Sequence, residues 1–442
     1  MKNIISLFLL GLLFISCTTK IEENVGHTVI AKWQGDKRSA ISLTFDDGII
    51  NQLTVARPIL NNLGLKGTFY IITGKVDGSA KGKFIGRPGE EIIKETITTK
   101  TNADNFFERA SLISFTGTTQ AADYHTKAGS LFESGKIIEA HALIDEAFEK
   151  LRNGKLKNTD DVVFHNNSVD TTSWSQYKIY AAEGHEIASH SVTHPRLAVL
   201  DEANLIYELE QRKADIQRFL GKKYTFSAEC PYGTENERVM EYAHKIYPAL
   251  RNRMPESYLD ELNRSSEKQP DASDKEYVQW QRGALTNHSM ELMKSWVDTC
   301  LANDNIWLVL VFHGVNGIGW EPKNAPEFEE YFSYMKEKEA NLWIAPFAEV
   351  TKYIRERKSS EIDIKLNDDT IVVNISCGLD PEIYNVPITL KTYVPSGWKN
   401  VVVSKQGEQK HLFRPRIQKD NLGSYAVYSV LTDTNEIVLS EY

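Results

Sequence analysis

The sequence predicts an α/β protein: a parallel, barrel-like sheet with helices outside it, a helical segment inserted into it, and an all-β sandwich after it. Three observations carry this. From Ala31 to Arg357, short β-branched apolar runs alternate with helical patterns that end at glycines. Between about residues 75 and 167 the strand rhythm stops and the chain turns polar and helical. Beyond Ser360 no helical period is visible, and short alternating runs separated by turn residues take over.

At 442 residues the chain is long enough for two domains. A hydrophobic content of 41% with 25% charged residues is that of a soluble globular protein. The net charge of −9, with no basic block, argues against a nucleic-acid partner. The four cysteines, Cys17, Cys230, Cys300 and Cys377, show no paired spacing, so neither a disulfide framework nor a cysteine zinc site is expected. Cys17 stands apart by position. A short basic start and an apolar run from Ile4 to Ile15 have the layout of a secretory signal over residues 1–16, too short for a membrane span. Phe14-Ile15-Ser16-Cys17 resembles a bacterial lipobox, which implies cleavage before Cys17, a lipid on its thiol and an extracytoplasmic, membrane-anchored protein. Lys20-Ile21-Glu22-Glu23 weakly resembles export signals of surface lipoproteins, and residues 17–30 read as a tether.

Ile41-Ser42-Leu43-Thr44-Phe45 reads as a strand delivering Asp46 and Asp47 to a sheet edge, with Gly48 allowing a sharp exit. Neighbours on a strand point to opposite sides, so the two acids can take different roles. A helix over Asn51–Leu63 and a strand over Lys66–Ile72 follow, the order that makes a parallel pair. Within the insertion, Ala121 to Ala147 resembles one tetratricopeptide-like hairpin. A single hairpin cannot bury its own face and so packs on the main domain, either as a wall of a substrate cleft or as an embellishment. Further helices are read at Trp174–Glu183, from Asp201 to Leu220 with Asp201 as cap, at Glu237–Ile246, Ser289–Leu301 and Ala348–Arg357. Strands are read near Thr225, Ala249, Tyr277–Leu285, Ile306–Phe312 and Leu342–Phe347, and Pro255–Lys275 is read as loop. The sandwich is placed at 361–442.

His190 and His194 are four apart, but Pro195 disfavours a helical conformation at His194, which places the pair on a loop leaving a strand. Two histidines and a carboxylate make a three-ligand metal site with an open position. His313 ends the apolar run Trp307–Phe312 and suits a general acid. Asp46-Asp47, His190 and His313 thus stand at the ends of three different strands, where barrel-like α/β enzymes carry their functional residues.

Thr44-Phe45-Asp46-Asp47-Gly48, His190-Ser191-Val192-Thr193-His194-Pro195, Pro231-Tyr232-Gly233 and Leu310-Val311-Phe312-His313 resemble, in order, the motifs of the NodB-homology polysaccharide deacetylases, carbohydrate esterase family four. The resemblance covers roughly Ala31 to Arg357 less the insertion. It implies a distorted, incomplete (β/α) barrel and a metal-dependent hydrolase removing acetyl groups from a carbohydrate, N-acetyl first and O-acetyl (xylan-type) as the alternative. It also implies Asp47, His190 and His194 as ligands of a divalent metal, zinc first, then cobalt or nickel. Asp46 becomes the base, His313 the acid and the Tyr232 backbone N–H an oxyanion donor. The chain departs from the family where many members carry an arginine two residues before the proline of the third motif; here that residue is Glu229. Arg251, in Ala249-Leu250-Arg251-Asn252-Arg253, resembles an Ala-Arg-Thr element of some members and is either the cation beside Asp46 or a surface arginine. Glu229 also leaves open a glycan-binding lipoprotein without turnover. Trp280, Trp320 and Trp343 are candidates for stacking on sugar.

Overall fold

The computed structural model describes residues 24–156, 171–405, 411–432 and 436–442. The expected signal peptide, Cys17 and the last part of the insertion lie outside the described residues. No helix among the described residues is long and apolar enough to cross a membrane.

The first strand, β1 (Thr28–Ile30), belongs to the C-terminal sandwich. The central sheet has nine strands: β2 (Ser39–Phe45), β3 (Thr68–Ile71), β4 (Glu186–Ser189), β5 (Ser227–Ala228), β6 (Ala249–Leu250), β7 (Leu259–Leu262), β8 (Tyr277–Gly283), β9 (Ile306–Phe312) and β10 (Leu342–Ile344). All pair in parallel, in the order β6-β5-β4-β3-β2-β9-β8-β7, with β10 against the first half of β2. Among the described residues β6 and β7 do not pair, so the sheet is a curled, incomplete barrel. At its centre β2 and β9 are buried at every position. That is the condition of strands covered on both faces and explains their near-unbroken apolar runs.

Two expectations about the barrel need correction. The stretch Pro255–Lys275, read as loop, contains β7. Its sequence Leu-Asp-Glu-Leu lacks an apolar run because this edge strand is only partly buried at its first three positions. The helix read over Asn51–Leu63 is a wide π-type turn, Gln52–Ala56, leading into α1 (Arg57–Asn62). Pro58 has no N–H to give to residue 54, and the widened turn accommodates the loss.

The insertion contains α2 (Gly89–Glu95), α3 (Phe106–Ser114), α4 (Thr119–Glu133) and α5 (Ile137–Arg152). α4 and α5 form the hairpin read from the sequence, and with α3 they close an apolar core that includes Val199 of the main domain. The sandwich has β11 (Ser360–Asn367), β12 (Thr370–Cys377), β13 (Ile388–Val394), β14 (Val401–Lys405), β15 (His411–Phe413), β16 (Ile417–Lys419), β17 (Ser424–Val430) and β18 (Ile437–Glu441). These make two antiparallel sheets, β1-β13-β17-β16 and β11-β12-β18-β14-β15. Thr28–Ile30, inside the stretch read as tether, is thus an edge strand of the sandwich. One continuous core joins the sandwich to the barrel, running from Trp33, Trp307 and Trp343 to Val373, Leu390 and Leu439.

Candidate active site

The site is built from the first residue past each of several strands. Phe45 pairs with Phe312, so Asp46 and His313 leave the sheet side by side. Ser189 pairs with Ala228 and Ala228 with Leu250, so His190, Glu229 and Arg251 leave it as a second row. Curling of the sheet brings Arg251 back onto Asp46. Its guanidinium meets both carboxylate oxygens, Nη1 to Oδ1 at 2.5 Å and Nη2 to Oδ2 at 2.7 Å. Nη1 also donates to Thr44 Oγ1 at 3.0 Å. A fork-to-fork pair of this kind fixes orientation as well as charge. Arg251 is fully buried, so of its two sequence readings the structure places it beside Asp46.

Asp46 and Asp47 diverge for a reason different from strand alternation. β2 ends at Phe45, and Asp47 adopts a left-handed backbone (φ 80°) followed by Gly48 (φ 67°). Asp47 therefore turns toward the two histidines. Four of the eight non-glycine residues with positive φ among the described residues are Asp47, Ser191, His194 and Tyr232, all at this site. Strain of this kind persists only where surrounding contacts hold it. Glu208, buried on the helix Glu202–Leu220, supplies several of them. It accepts the Val192 N–H at 2.7 Å, the Thr193 N–H at 3.0 Å and the Thr193 hydroxyl at 2.7 Å. Gln52, buried in the wide turn, donates to the carbonyls of Asp46 (2.5 Å) and His313 (2.7 Å), tying two strand ends together.

Asp47 Oδ1 lies 3.6 Å from His190 Nε2 and 3.3 Å from His194 Nε2, and the two nitrogens are 3.1 Å apart. Ligands about 2.0–2.1 Å from a tetrahedral zinc are separated by about 3.3 Å, so the donor atoms present fit a small divalent cation with one position open. The electrostatics agree. Burial opposes charge on His190, but Glu229 and Asp47 pull its pKa up to about 10, so the pocket favours positive charge at that point. Burial and the neighbouring His190 push His194 down to about 3. Burial would raise the carboxyl of Asp46, yet Arg251 and His313 outweigh it and hold the group well below the usual carboxylate range. His313 Nε2 is 3.4 Å from Asp46 Oδ2, and burial lowers its pKa.

These residues open into a cleft of about 420 Å³ whose walls include Arg196, Tyr232, Arg264 and Trp320. The Tyr232 ring meets the His194 ring edge-on (centroids 4.8 Å apart), and the Arg196 guanidinium lies over the Tyr232 ring at 4.6 Å. Arg196 is held from the insertion: Glu133 of α4 pairs with its side chain at 2.5 Å, and His125 Nε2 accepts its N–H at 3.1 Å. The insertion therefore braces one wall of the cleft. Trp320 is 51% exposed and meets the His313 ring edge-on at 4.6 Å, whereas Trp280 and Trp343 are buried in the core. Glu229, Gln52, Glu208 and Arg264 were not singled out as contributors by sequence reasoning. Glu229 carried a readable signal, since an acid directly after a short apolar strand, level with Arg251 on the next strand, suggests a cross-strand pair.

Residues 127–251 match the family model described as polysaccharide deacetylase. Over that span the chain matches a polysaccharide deacetylase domain. The matched span holds His190, His194, Tyr232 and Arg251; Asp46, Asp47 and His313 lie outside it, and the strand register sets Asp46 and His313 side by side at the same end of the sheet. Over 255 residues the chain is 24% identical to a gellan lyase of a Bacillus species; the alignment takes in 53% of this chain and 10% of that protein. The chain thus spans about a tenth of the length of that curated relative. Among solved structures, it is similar to the family 4 carbohydrate esterase domain of a multidomain xylanase from the hindgut metagenome of Trinervitermes trinervoides. That likeness has 13% identity, a TM-score of 0.34, and coverage of 72% of this chain and 90% of that one. It is also similar to the chitin deacetylase of Colletotrichum lindemuthianum, with 12% identity, a TM-score of 0.32, and coverage of 73% and 89%.

Proposed function

We propose that the protein hydrolyses acetyl groups from an acetylated polysaccharide or oligosaccharide in a reaction that depends on a divalent metal, zinc first, with N-acetyl groups as the preferred target. One observation carries this: the three converging donors of Asp47, His190 and His194 share a cleft with the Asp46 carboxylate that Arg251 holds in place. When bound there, a divalent ion supplies Lewis-acid chemistry, polarising a carbonyl and acidifying a water. Asp46, kept ionised by Arg251, takes the proton of the attacking water. The Tyr232 backbone N–H, at the cleft wall, is the donor assigned to the charge that develops on the carbonyl oxygen. His313 lies 3.4 Å from Asp46 and is placed to pass a proton to the departing nitrogen. Trp320 gives the sugar a face to stack on.

His313 also supports a second reading. Burial lowers its pKa, so it takes up a proton less readily, and a departing sugar hydroxyl demands less of an acid than a departing amine does. O-acetyl ester hydrolysis, of the xylan type, uses the same site. Acetate release across N-acetylated and O-acetylated glycans tests both readings, with the Asp46→Asn chain as control. The N-acetyl preference fails if only esters are turned over, and the enzymatic reading fails if neither class is. We further propose that Cys17 is lipidated and anchors the mature chain outside the cytoplasm. Labelled fatty acid should enter the expressed precursor and not its Cys17→Ala variant; equal labelling of both would refute the anchor.

A further inference from the structure

We propose that Glu229 is a positioning residue that ties the metal-ligand set to the Arg251–Asp46 pair, an inference that rests on the metal-dependent reading above. The register places it between the two: β5 lies between β4, which delivers His190, and β6, which delivers Arg251. Glu229 is 1% exposed. Its Oε2 lies 2.5 Å from His190 Nδ1 and its Oε1 3.1 Å from Arg251 Nη2, while Asn252 donates to Oε1 at 2.9 Å. The Nδ1–H finds its aligned acceptor in the Glu229 backbone carbonyl at 3.2 Å, with the carboxylate alongside as charge.

Two consequences follow. With Nδ1 carrying the proton, the lone pair of His190 sits on Nε2, the nitrogen facing Asp47 and His194. The backbone carbonyl fixes the tautomer of the imidazole, and the carboxylate beside it raises the basicity of the ring. The second consequence concerns Arg251. A guanidinium buried with only Asp46 would serve one carboxylate; Glu229 Oε1 lies against Nη2, the nitrogen that also donates to Asp46 Oδ2, so the cation is shared between two acids. The departure from the family pattern at position 229 is then an exchange of charges. The arginine comes from β6, and the carboxylate that replaces it supports a metal ligand. Asp47, His190, Glu229, Arg251 and Asp46 form one chain of contacts from the ligand set to the base.

The test is metal affinity of the purified full chain, read by competition with a chromophoric chelator and by the visible spectrum of the cobalt form. Glu229→Gln keeps the volume and an acceptor for Arg251 but removes the charge behind His190. It should weaken zinc and cobalt binding about 10–100-fold, the usual cost of losing such a partner. Glu229→Asp, which keeps the charge with a shorter reach, should recover part of that loss and is the variant to measure if the glutamine chain fails to fold. Glu229→Gln binding metal as tightly as the unaltered chain, with an unchanged cobalt spectrum, overturns the inference and leaves the proposed function standing. An unaltered chain that binds no metal overturns both.

Discussion

The two ends of the parallel sheet carry opposite chemistry although the same strands build them. At the carboxyl ends of β2, β4, β5, β6 and β9 stand Asp46, His190, Glu229, Arg251 and His313, all ionisable and most of them buried. At the other end Ala40, Trp307 and Trp343 merge into the apolar core that binds the sandwich. The polar end is held by charge pairs and strained loops, and it positions atoms. The apolar end is held by area removed from water, and it joins domains. The difference teaches that the site and the stability of the molecule are separable along the strand axis, and each end should respond to its own kind of substitution.

The largest effect is expected at the ligand set. Asp47→Ala should bring acetate release to background and abolish metal binding while the chain stays folded by circular dichroism. Retained metal would move the site elsewhere. Asp46→Asn should lower kcat by about 10²–10⁴-fold, the range of a lost general base, with metal affinity kept. Loss of metal as well would exchange the roles of the two acids. At the opposite end, Trp307→Ala should cost about 3–5 kcal/mol in denaturant unfolding, since Trp307 is fully buried and its indole donates to Ser42. Metal affinity of the folded variant should not change; a parallel loss would break the separation.

The smallest effect tests the brace between insertion and cleft. His125 is buried, with Nδ1 donating to the Ala110 carbonyl and Nε2 accepting from Arg196, so it is neutral. Burial lowers its pKa from 6.5 to about 4. The unfolded chain takes up this proton first, so the stabilisation is fully present above about pH 6.5 and is lost as pH falls through about 4. The loss is on the order of 3 kcal/mol. Unfolding of the unaltered chain and His125→Gln, each at pH 7 and pH 4.5, should show a smaller acid loss in the variant. Equal losses would remove His125 as the cause.

The polar end was the more legible in the sequence. Asp46-Asp47-Gly48 and His190 to His194 are contiguous, and a long apolar run announces His313. Arg251 was legible only as an alternative, because its partner lies 205 positions away and is reached through the curl of the sheet. Glu229 was legible only as a possible cross-strand partner of Arg251; its contact with His190 was not, since it depends on the register of two-residue strands that leave almost no periodic signal. The same shortness hid β1, β15 and β16, while β7 was hidden by its polar composition. Among the three tryptophans, only packing decides that Trp320 faces the cleft.

The central claim is most directly tested by acetate release from an acetylated oligosaccharide, using protein stripped of metal by a chelator and then reconstituted. The account predicts no release from the stripped protein and recovery on adding zinc or cobalt. Undiminished release from the metal-free chain would contradict it.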